Sequence, residues 1–339
     1  MELIPGACIG NYRIEYELAA IGSGLLFEAQ HVVVPRRAIV KIIRPGHATD
    51  PARVVEMLRE ARTLESIAHP GVPIVYEAGC LPHHGPWYVF EAHSGPTLDV
   101  LLASGPLPVV AVAALLRDIA DILEHVHHRG VIHRGLRPSR IVITAAGRNP
   151  LCIPDWGDAI VCDATSHAPQ AVTEAVRSYV APELLRHASG DIPHLDGRVD
   201  VFSLGVIAHR ALTGRLPFAP GLGAEPYAPS HERRPDAPRG LTVLIDSMLA
   251  YQRLDRPSAS EVRTSVDQLF ARASAHLVPT AFAGETPSLP PTSPEDLVAL
   301  EERQYVRRPR WTPEVRYAEA IDIIDDTITE KDGPDEFME

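Results

Sequence analysis

Residues 131–143 concentrate side chains that could do chemistry. This stretch reads VIHRGLRPSRIVI, in which a histidine and an arginine follow an apolar pair and a β-branched run closes the segment. The pattern predicts a loop between a helix and a buried strand, and such loops often carry functional residues. Within it, Arg137 and Arg140 each bring five hydrogen-bond donors and a permanent positive charge.

The elements predicted around this loop fall into two halves. Residues 12–18 alternate in the manner of a strand, and the later runs LLFEA, AIVKII, IVYEA and WYVFEA are also strand-like. Among them, PARVVEMLREARTLES has helical spacing, with Asp50 as its predicted N-cap. The pattern that follows is mainly helical, and its first long helix ends at Gly130. We therefore predict a β-rich half over about residues 12–91 and a helical half over about residues 97–272.

The C-terminal part of the chain has a different composition. Residues 273–294 are rich in proline and serine, as is typical of a linker. Residues 295–339 hold fourteen acidic and six basic side chains, which account for −8 of the net charge of −12. The runs SPEDLVALEERQYVRR and TPEVRYAEAIDIIDDTI each start with a capping residue followed by proline, which indicates two possible helices. This acidic tail either packs on the preceding domain or on a protein partner, or it is disordered.

The composition limits the classes of function. A net charge of −12 argues against binding to nucleic acid or to an anionic membrane. The longest apolar run, PLPVVAVAALL, is too short to span a bilayer, and the first residues do not have the pattern of a signal peptide. The four cysteines lack the spacing of a metal site or a disulfide framework, so we expect a cytoplasmic protein. At the end of the long helix, His125, His127 and His128 are expected to be solvated rather than to bind metal.

Six short motifs occur in the order and spacing of the protein-kinase family. They lie in AIVK, REA, DWG, APE, DVFSLGV and DRPS, at Lys41, Glu60, Asp155–Gly157, Ala181–Glu183, Asp200 and Arg256. Each motif alone is weak, but together they make residues 12–272 resemble a protein kinase, in the style of the bacterial Ser/Thr kinases. The resemblance implies an α+β, bilobal fold with a β-rich N-lobe, a mainly helical C-lobe and a nucleotide cleft between them.

The same resemblance implies roles for individual residues. Lys41 would hold nucleotide phosphates, and Glu60 would fix the orientation of that lysine. Asp155 would bind Mg²⁺ that bridges the phosphates. Gly24 is the glycine retained from the family's glycine-rich loop, and Glu91 in the segment joining the two halves belongs to the expected nucleotide-binding set.

Three departures from the family pattern affect the chemistry. Gly135 stands where the family has the aspartate that accepts the proton of the substrate hydroxyl, and glycine cannot take a proton. Arg137 replaces the lysine of the same loop, and Arg140 replaces the asparagine that binds a second metal. In the glycine-rich loop, Ala19 and Ile21 occupy two glycine positions.

These departures lead us to interpret the chain as a degenerate pseudokinase, acting as a nucleotide-binding sensor or as a scaffold for a protein partner. The loss of a general base costs about 10²–10⁴ in rate rather than all activity. A weakly active Ser/Thr kinase is therefore an alternative, with Asp155 or Asp158 replacing the lost base. A third hypothesis is an interaction module whose nucleotide cleft is occluded.

Two hypotheses concern the cofactors. ATP or ADP could bind while Arg137 and Arg140 neutralise its phosphates in place of metal, which would make Mg²⁺ dispensable. Alternatively, Arg140 forms a salt bridge with Asp155 and plugs an empty cleft.

Overall fold

A computed structural model describes residues 4–81, 84–144, 149–161, 174–186, 195–218 and 227–275. The chain divides into two compact units, Met1–Ser265 and Val266–Glu339, and only the start of the second unit is described. The predicted linker lies outside the described residues from residue 276 onward, and the predicted acidic tail lies wholly outside them.

A six-stranded antiparallel sheet forms the β-rich lobe, between residues 8 and 91. Its strands are β1 Cys8–Ile9, β2 Tyr12–Ile21, β3 Gly24–His31, β4 Arg37–Ile43, β5 Val75–Leu81 and β6 Gly85–Glu91. They are ordered β1-β2-β3-β4-β6-β5. The sheet is curled, and its two ends are in contact. The Tyr12 ring stacks on Tyr76, and the Asn11 backbone N–H donates to Glu77. Strand β4, which carries Lys41, pairs with β3 and β6 at the centre of the sheet and contributes residues to its apolar core.

One long helix, α1 Pro51–Ser66, packs against β4, β5 and β6. Asp50 caps its start, because its carboxylate accepts a hydrogen bond of 2.9 Å from the Ala52 backbone N–H. Met57 and Leu64 on the inner face of the helix are buried. Glu60 lies one turn after Met57 and is buried with them, so the helix brings a carboxylate against the sheet.

The second half of the first unit is mainly helical. Its helices are α2 Leu98–Leu102, α3 Val109–His127, α4 Glu174–Arg177, α5 Pro182–Arg186, α6 Arg198–Thr213, α7 Ser230–Arg233 and α8 Arg239–Met248, and α9 Ala259–Ala275 continues into the second unit. Four short strands lie between α3 and α4, namely β7 Val131–Ile132, β8 Val142–Ile143, β9 Leu151–Cys152 and β10 Ile160–Val161. They form the antiparallel pairs β7–β10 and β8–β9. The predicted α+β fold, with a β-rich lobe followed by a helical lobe, is confirmed.

Helix α6 is the central element of the helical lobe. Thirteen of its sixteen residues are buried, which is the pattern of a helix covered on all sides. It ends at Gly214, whose φ of 74° is the left-handed conformation that terminates many helices. Since α3 and α8 both pack on α6, its first turn is a rigid place from which to hold the loop 131–143. Among the described residues, no helix is long and apolar enough to cross a membrane.

Candidate functional site

A buried ion pair joins the sheet to α1. Nζ of Lys41 lies 2.8 Å from Oε1 and 2.6 Å from Oε2 of Glu60, and both residues are only 6% exposed. Tyr88 faces Lys41 across β4 and β6, and burial and then the charge of Glu60 raise the pKa of its phenol. Burial raises the pKa of Glu60 in spite of the adjacent ammonium, while Glu60 and Asp155 raise the pKa of Lys41 against the effect of its own burial.

Asp200, in the first turn of α6, holds the loop 131–143 in place. Its carboxylate is fully buried and accepts backbone hydrogen bonds of 2.8 Å from His133 and 2.7 Å from Arg134. The imidazole of His127 donates a third, of 2.9 Å. Although burial alone would raise it, the pKa of Asp200 is lowered by these hydrogen bonds and by His127. The two backbone bonds maintain Arg134 at a φ of 60°, a conformation unfavourable for a residue with a side chain.

The position of His127 differs from the sequence-based expectation. We expected a solvated surface residue, but its ring lies against Gly197 and contacts the buried Asp200. The end of α3 packs on the start of α6, which the sequence of α3 alone does not indicate.

Arg140 is the central side chain of the cleft. Its Nε lies 2.7 Å from Oδ2 of Asp155 in an ion pair that is not aligned as a hydrogen bond, and its Nη1 lies 2.6 Å from Oδ2 of Asp158. Nη1 also donates to the Gly135 carbonyl at 3.1 Å. Burial raises the pKa of Asp155, but Arg140 and Lys41 outweigh it and lower that pKa to about 2. The ion pair between Arg140 and Asp155 is the contact that the hypothesis of a plugged cleft requires.

Arg137 differs from Arg140 in its partners. It is half-buried at the mouth of the cleft, and its Nε donates to the Ser139 hydroxyl at 3.1 Å. Within the described part of the chain, no carboxylate forms a salt bridge with it. Burial, and then the nearby Arg140, lower its pKa. Arg137 is therefore a partly desolvated cation whose charge is available to an anion.

Two cavities adjoin this cluster and share Lys41, Arg137, Arg140 and Asp155 in their walls. The larger, of about 320 Å³, is mostly apolar, with walls that include Leu18, Leu26, Ile39, Tyr88, Phe90 and Glu91. The smaller, of about 250 Å³, lies toward α4 and the β2–β3 turn, and its walls include Ser23, Asp158 and Tyr179. An apolar chamber beside a row of cations suits a nucleotide, with its base in the larger cavity and its phosphates near the arginines.

The other predicted residues lie at the edges of these cavities. Glu91, at the end of β6, lines the larger one. Gly24 begins β3, and a Cβ atom there would lie 2.8 Å from Cε of Lys41, so this glycine makes room for the lysine. Ile21 lines both cavities, while Ala19 is a half-buried strand residue. Sequence patterns do not single out Tyr88, because its proximity to Glu60 depends on the register of β4 with β6.

Comparisons with known proteins identify the family. The family model described as "Protein kinase domain" matches residues 17–266. Serine/threonine-protein kinase Pkn1 of Myxococcus xanthus is 31% identical over 241 residues, which cover 69% of this chain and 33% of that protein. PknA of Mycobacterium tuberculosis is 31% identical over 68% of this chain and 52% of that protein. The crystal structure of the Mycobacterium tuberculosis PknI kinase domain has a TM-score of 0.60 at 25% identity, covering 79% of this chain and 99% of that one. The chain therefore belongs to the protein kinase domain family, and it spans a third to a half of the curated relatives cited.

Membership in this family implies ATP and Mg²⁺ as cofactors in general, and the residues present fit the two unequally. The apolar cavity, Lys41 and Arg137 suit a nucleotide. The acidic side chains do not suit a divalent cation in the same way, because Asp155 and Asp158 are both bound to the guanidinium of Arg140. These two carboxylates would have to release the guanidinium of Arg140 before they could bind Mg²⁺.

His133 makes the stability of this site dependent on pH. It is fully buried, its ring packs on Trp156 with centroids 4.7 Å apart, and burial lowers its pKa to about 4. An unfolded histidine titrates near pH 6.5, so acid favours the unfolded chain. We therefore expect the free energy of unfolding to be unaffected by His133 above pH 6.5. It should fall by roughly 3 kcal/mol in total as the pH falls toward 4, because the unfolded histidine then binds a proton that the folded one does not.

The measurement is urea unfolding at several pH values between 8 and 4, for the wild type and for His133→Phe. The variant cannot titrate at this position, so its stability should fall less steeply below pH 6.5. Above pH 7.5 the difference between the two proteins should be constant. Parallel pH profiles down to pH 4 would show that His133 is not the group responsible.

Proposed function

We propose that this protein kinase domain is a catalytically impaired pseudokinase that binds ATP or ADP and acts as a sensor or scaffold for a protein partner. The observation that supports this proposal is the environment of residue 135. Gly135 offers no proton acceptor, and the nearest carboxylate, that of Asp158, is bound to Arg140. Phosphoryl transfer depends on positioning and charge, and the group that would orient the hydroxyl is missing here.

Nucleotide binding is supported by the charges that remain in the cleft. Lys41 is paired with Glu60, and Arg140 is paired with two aspartates. Arg137, without a carboxylate partner among the described residues, supplies the attraction for a phosphate group. Since Arg140 already fulfils the role of a cation beside Asp155, Mg²⁺ is dispensable for this binding. The open apolar cavity favours a nucleotide-binding protein over an interaction module with a filled cleft.

A weakly active Ser/Thr kinase is the second candidate. It is favoured by the intact Lys41–Glu60 pair and by the proximity of Asp158 to residue 135. For Asp158 to accept a proton it must leave Arg140, so the expected rate is below that of a kinase with its own base by about 10²–10⁴.

We propose that the protein partner binds the acidic tail, residues 295–339, through its negative charge and its two possible helices. We also propose that the protein is cytoplasmic, which the spacing of its four cysteines supports, and that it binds neither nucleic acid nor membrane, which the net charge of −12 supports.

Thermal unfolding of the full chain with ATP, ADP or no nucleotide, each in Mg²⁺ and in EDTA, tests the proposal. Nucleotide at a hundredfold excess over Kd should stabilise the protein by about 2.7 kcal/mol, in EDTA as well as in Mg²⁺. Arg137→Ala should remove most of this shift. Arg13→Ala, an equal change of charge at an exposed position on β2, should retain it. If neither nucleotide shifts the transition in either condition, the chain is not a nucleotide-binding protein.

A further inference from the structure

We infer that Gly135 and Arg140 form a reciprocal pair, in which the missing side chain at residue 135 opens the space that lets Arg140 serve as the cleft's resident cation. Gly135 is then a positioning residue rather than a simple loss of the catalytic aspartate. The consequence for nucleotide binding rests on the proposed function, whereas the pairing itself does not.

The first evidence is steric. A Cβ atom built on Gly135 would overlap Nη1 of Arg140, and it would lie 2.7 Å from Oδ2 of Asp158 and 3.2 Å from Cζ of Arg140. The backbone of Gly135 is outside the left-handed region, so its conformation accepts any residue. The overlapping atom is the tip of the Arg140 side chain, which its ion pairs with Asp155 and Asp158 hold in place, so a side chain at residue 135 requires that tip to move.

A second glycine in the same cleft provides a contrast. A Cβ atom on Gly157 would come no closer than 3.4 Å to Oδ1 of Asp155 and 3.6 Å to Oε2 of Glu60, which is ordinary van der Waals contact. Side chains are therefore not excluded everywhere around these carboxylates. Beside the carboxylates there is thus room for a methyl group at Gly157, whereas at Gly135 the guanidinium of Arg140 occupies that room.

The second evidence is electrostatic. The guanidinium bridges Asp155 and Asp158, and its permanent single charge stabilises two carboxylates of low solvent exposure. One group thereby supplies the charge that a divalent cation would otherwise bring to Asp155. A side chain at residue 135 would displace this guanidinium and leave two partly buried carboxylates without a cation.

The ligand that this pair favours is a nucleoside di- or triphosphate without its divalent metal. A divalent cation would have to break both ion pairs of Arg140 to reach the carboxylates. The phosphates of a metal-free nucleotide instead meet Arg137 and Lys41, which line both cavities.

A double-mutant cycle on the full chain tests the pairing by thermal unfolding in EDTA without nucleotide. Gly135→Ala should lower Tm by about 3–9 °C in the presence of Arg140, because the new methyl group overpacks the site. In the Arg140→Ala background the same substitution should change Tm by less than about 2 °C. Gly157→Ala, the matched control, should have a small effect in both backgrounds. Equal losses from Gly135→Ala in both backgrounds would overturn the pairing.

Binding of Mn²⁺ alone supplies a second readout that a merely structural role would not change. The wild type should show no stabilisation by millimolar Mn²⁺, whereas Arg140→Ala should gain it because Asp155 and Asp158 are released. If Arg140→Ala does not fold, Arg140→Gln takes its place in both experiments, since its shorter, uncharged side chain vacates the space beside residue 135 and releases both carboxylates. Equal Mn²⁺ stabilisation of wild type and variant would refute the resident cation. Neither experiment contains nucleotide, so the pairing of Gly135 with Arg140 can be confirmed even if ADP does not bind. Conversely, the proposed nucleotide binding can be confirmed even if the effects of the Gly135 and Arg140 substitutions on Tm are additive.

Discussion

Replacing Arg256 with methionine is expected to lower the free energy of unfolding by about 3–5 kcal/mol, because it leaves a carboxylate in the helical lobe without its partner. The Arg256 side chain is fully buried and binds both oxygens of Glu183, at 2.7 and 2.9 Å. It also donates to the backbone carbonyls of Ala250, Tyr251 and Arg198. One side chain thus connects α5, the start of α6 and the segment after α8.

Arg253→Met is the matched control for this experiment. Arg253 lies three residues earlier and is partly exposed, with Nη1 3.4 Å from Oδ2 of Asp196. A pair of this kind contributes up to about 1 kcal/mol, so urea unfolding should separate the two variants clearly. The double variant Arg256→Met/Glu183→Leu should recover part of the loss, because it removes the unpaired charge as well. Equal destabilisation by Arg256→Met and Arg253→Met would contradict the assignment.

The fold could be predicted from sequence because its signals are local. The strand alternation, the Asp50 cap and the glycine at the end of α3 each depend on a few neighbouring residues. The bilobal arrangement was implied instead by the resemblance of six motifs to those of protein kinases. The same resemblance implied that Lys41 and Glu60 face each other, and the structure places them in direct contact.

The state of the cleft could not be predicted in the same way. The sequence left open whether Arg140 replaces a metal for a bound nucleotide or forms a salt bridge with Asp155, since both follow from the same charges. The outcome depends on the path of the side chain from the turn at residues 138–140, and on the space beside Gly135. Tyr88 shows the same limit, because only the pairing of β4 with β6 brings its phenol to Glu60. Contacts between residues distant in sequence decide these features.

The largest expected effect on activity follows from reversing both changes in the loop. The double variant Gly135→Asp/Arg140→Asn should transfer phosphate from ATP in the presence of Mg²⁺ at least about 100-fold faster than the wild type, since a positioned general base contributes about 10²–10⁴. The introduced carboxylate takes the place from which the guanidinium has been removed, and Lys41, Glu60 and Asp155 keep their positions.

Neither single variant should reproduce this gain. In Gly135→Asp the new side chain meets the guanidinium of Arg140, which would bind it as it now binds Asp158 and prevent it from accepting a proton. In Arg140→Asn the base is still missing. Transfer of radiolabelled phosphate to a generic protein substrate measures all four proteins, and the double variant carrying Asp155→Asn as well is the inactive control. A double variant no faster than the wild type would mean that the impairment lies elsewhere, for example at Ile21 in the β2–β3 turn. A full gain from Gly135→Asp alone would mean that Arg140 does not restrain the site, because the base could then act with the resident cation still in place.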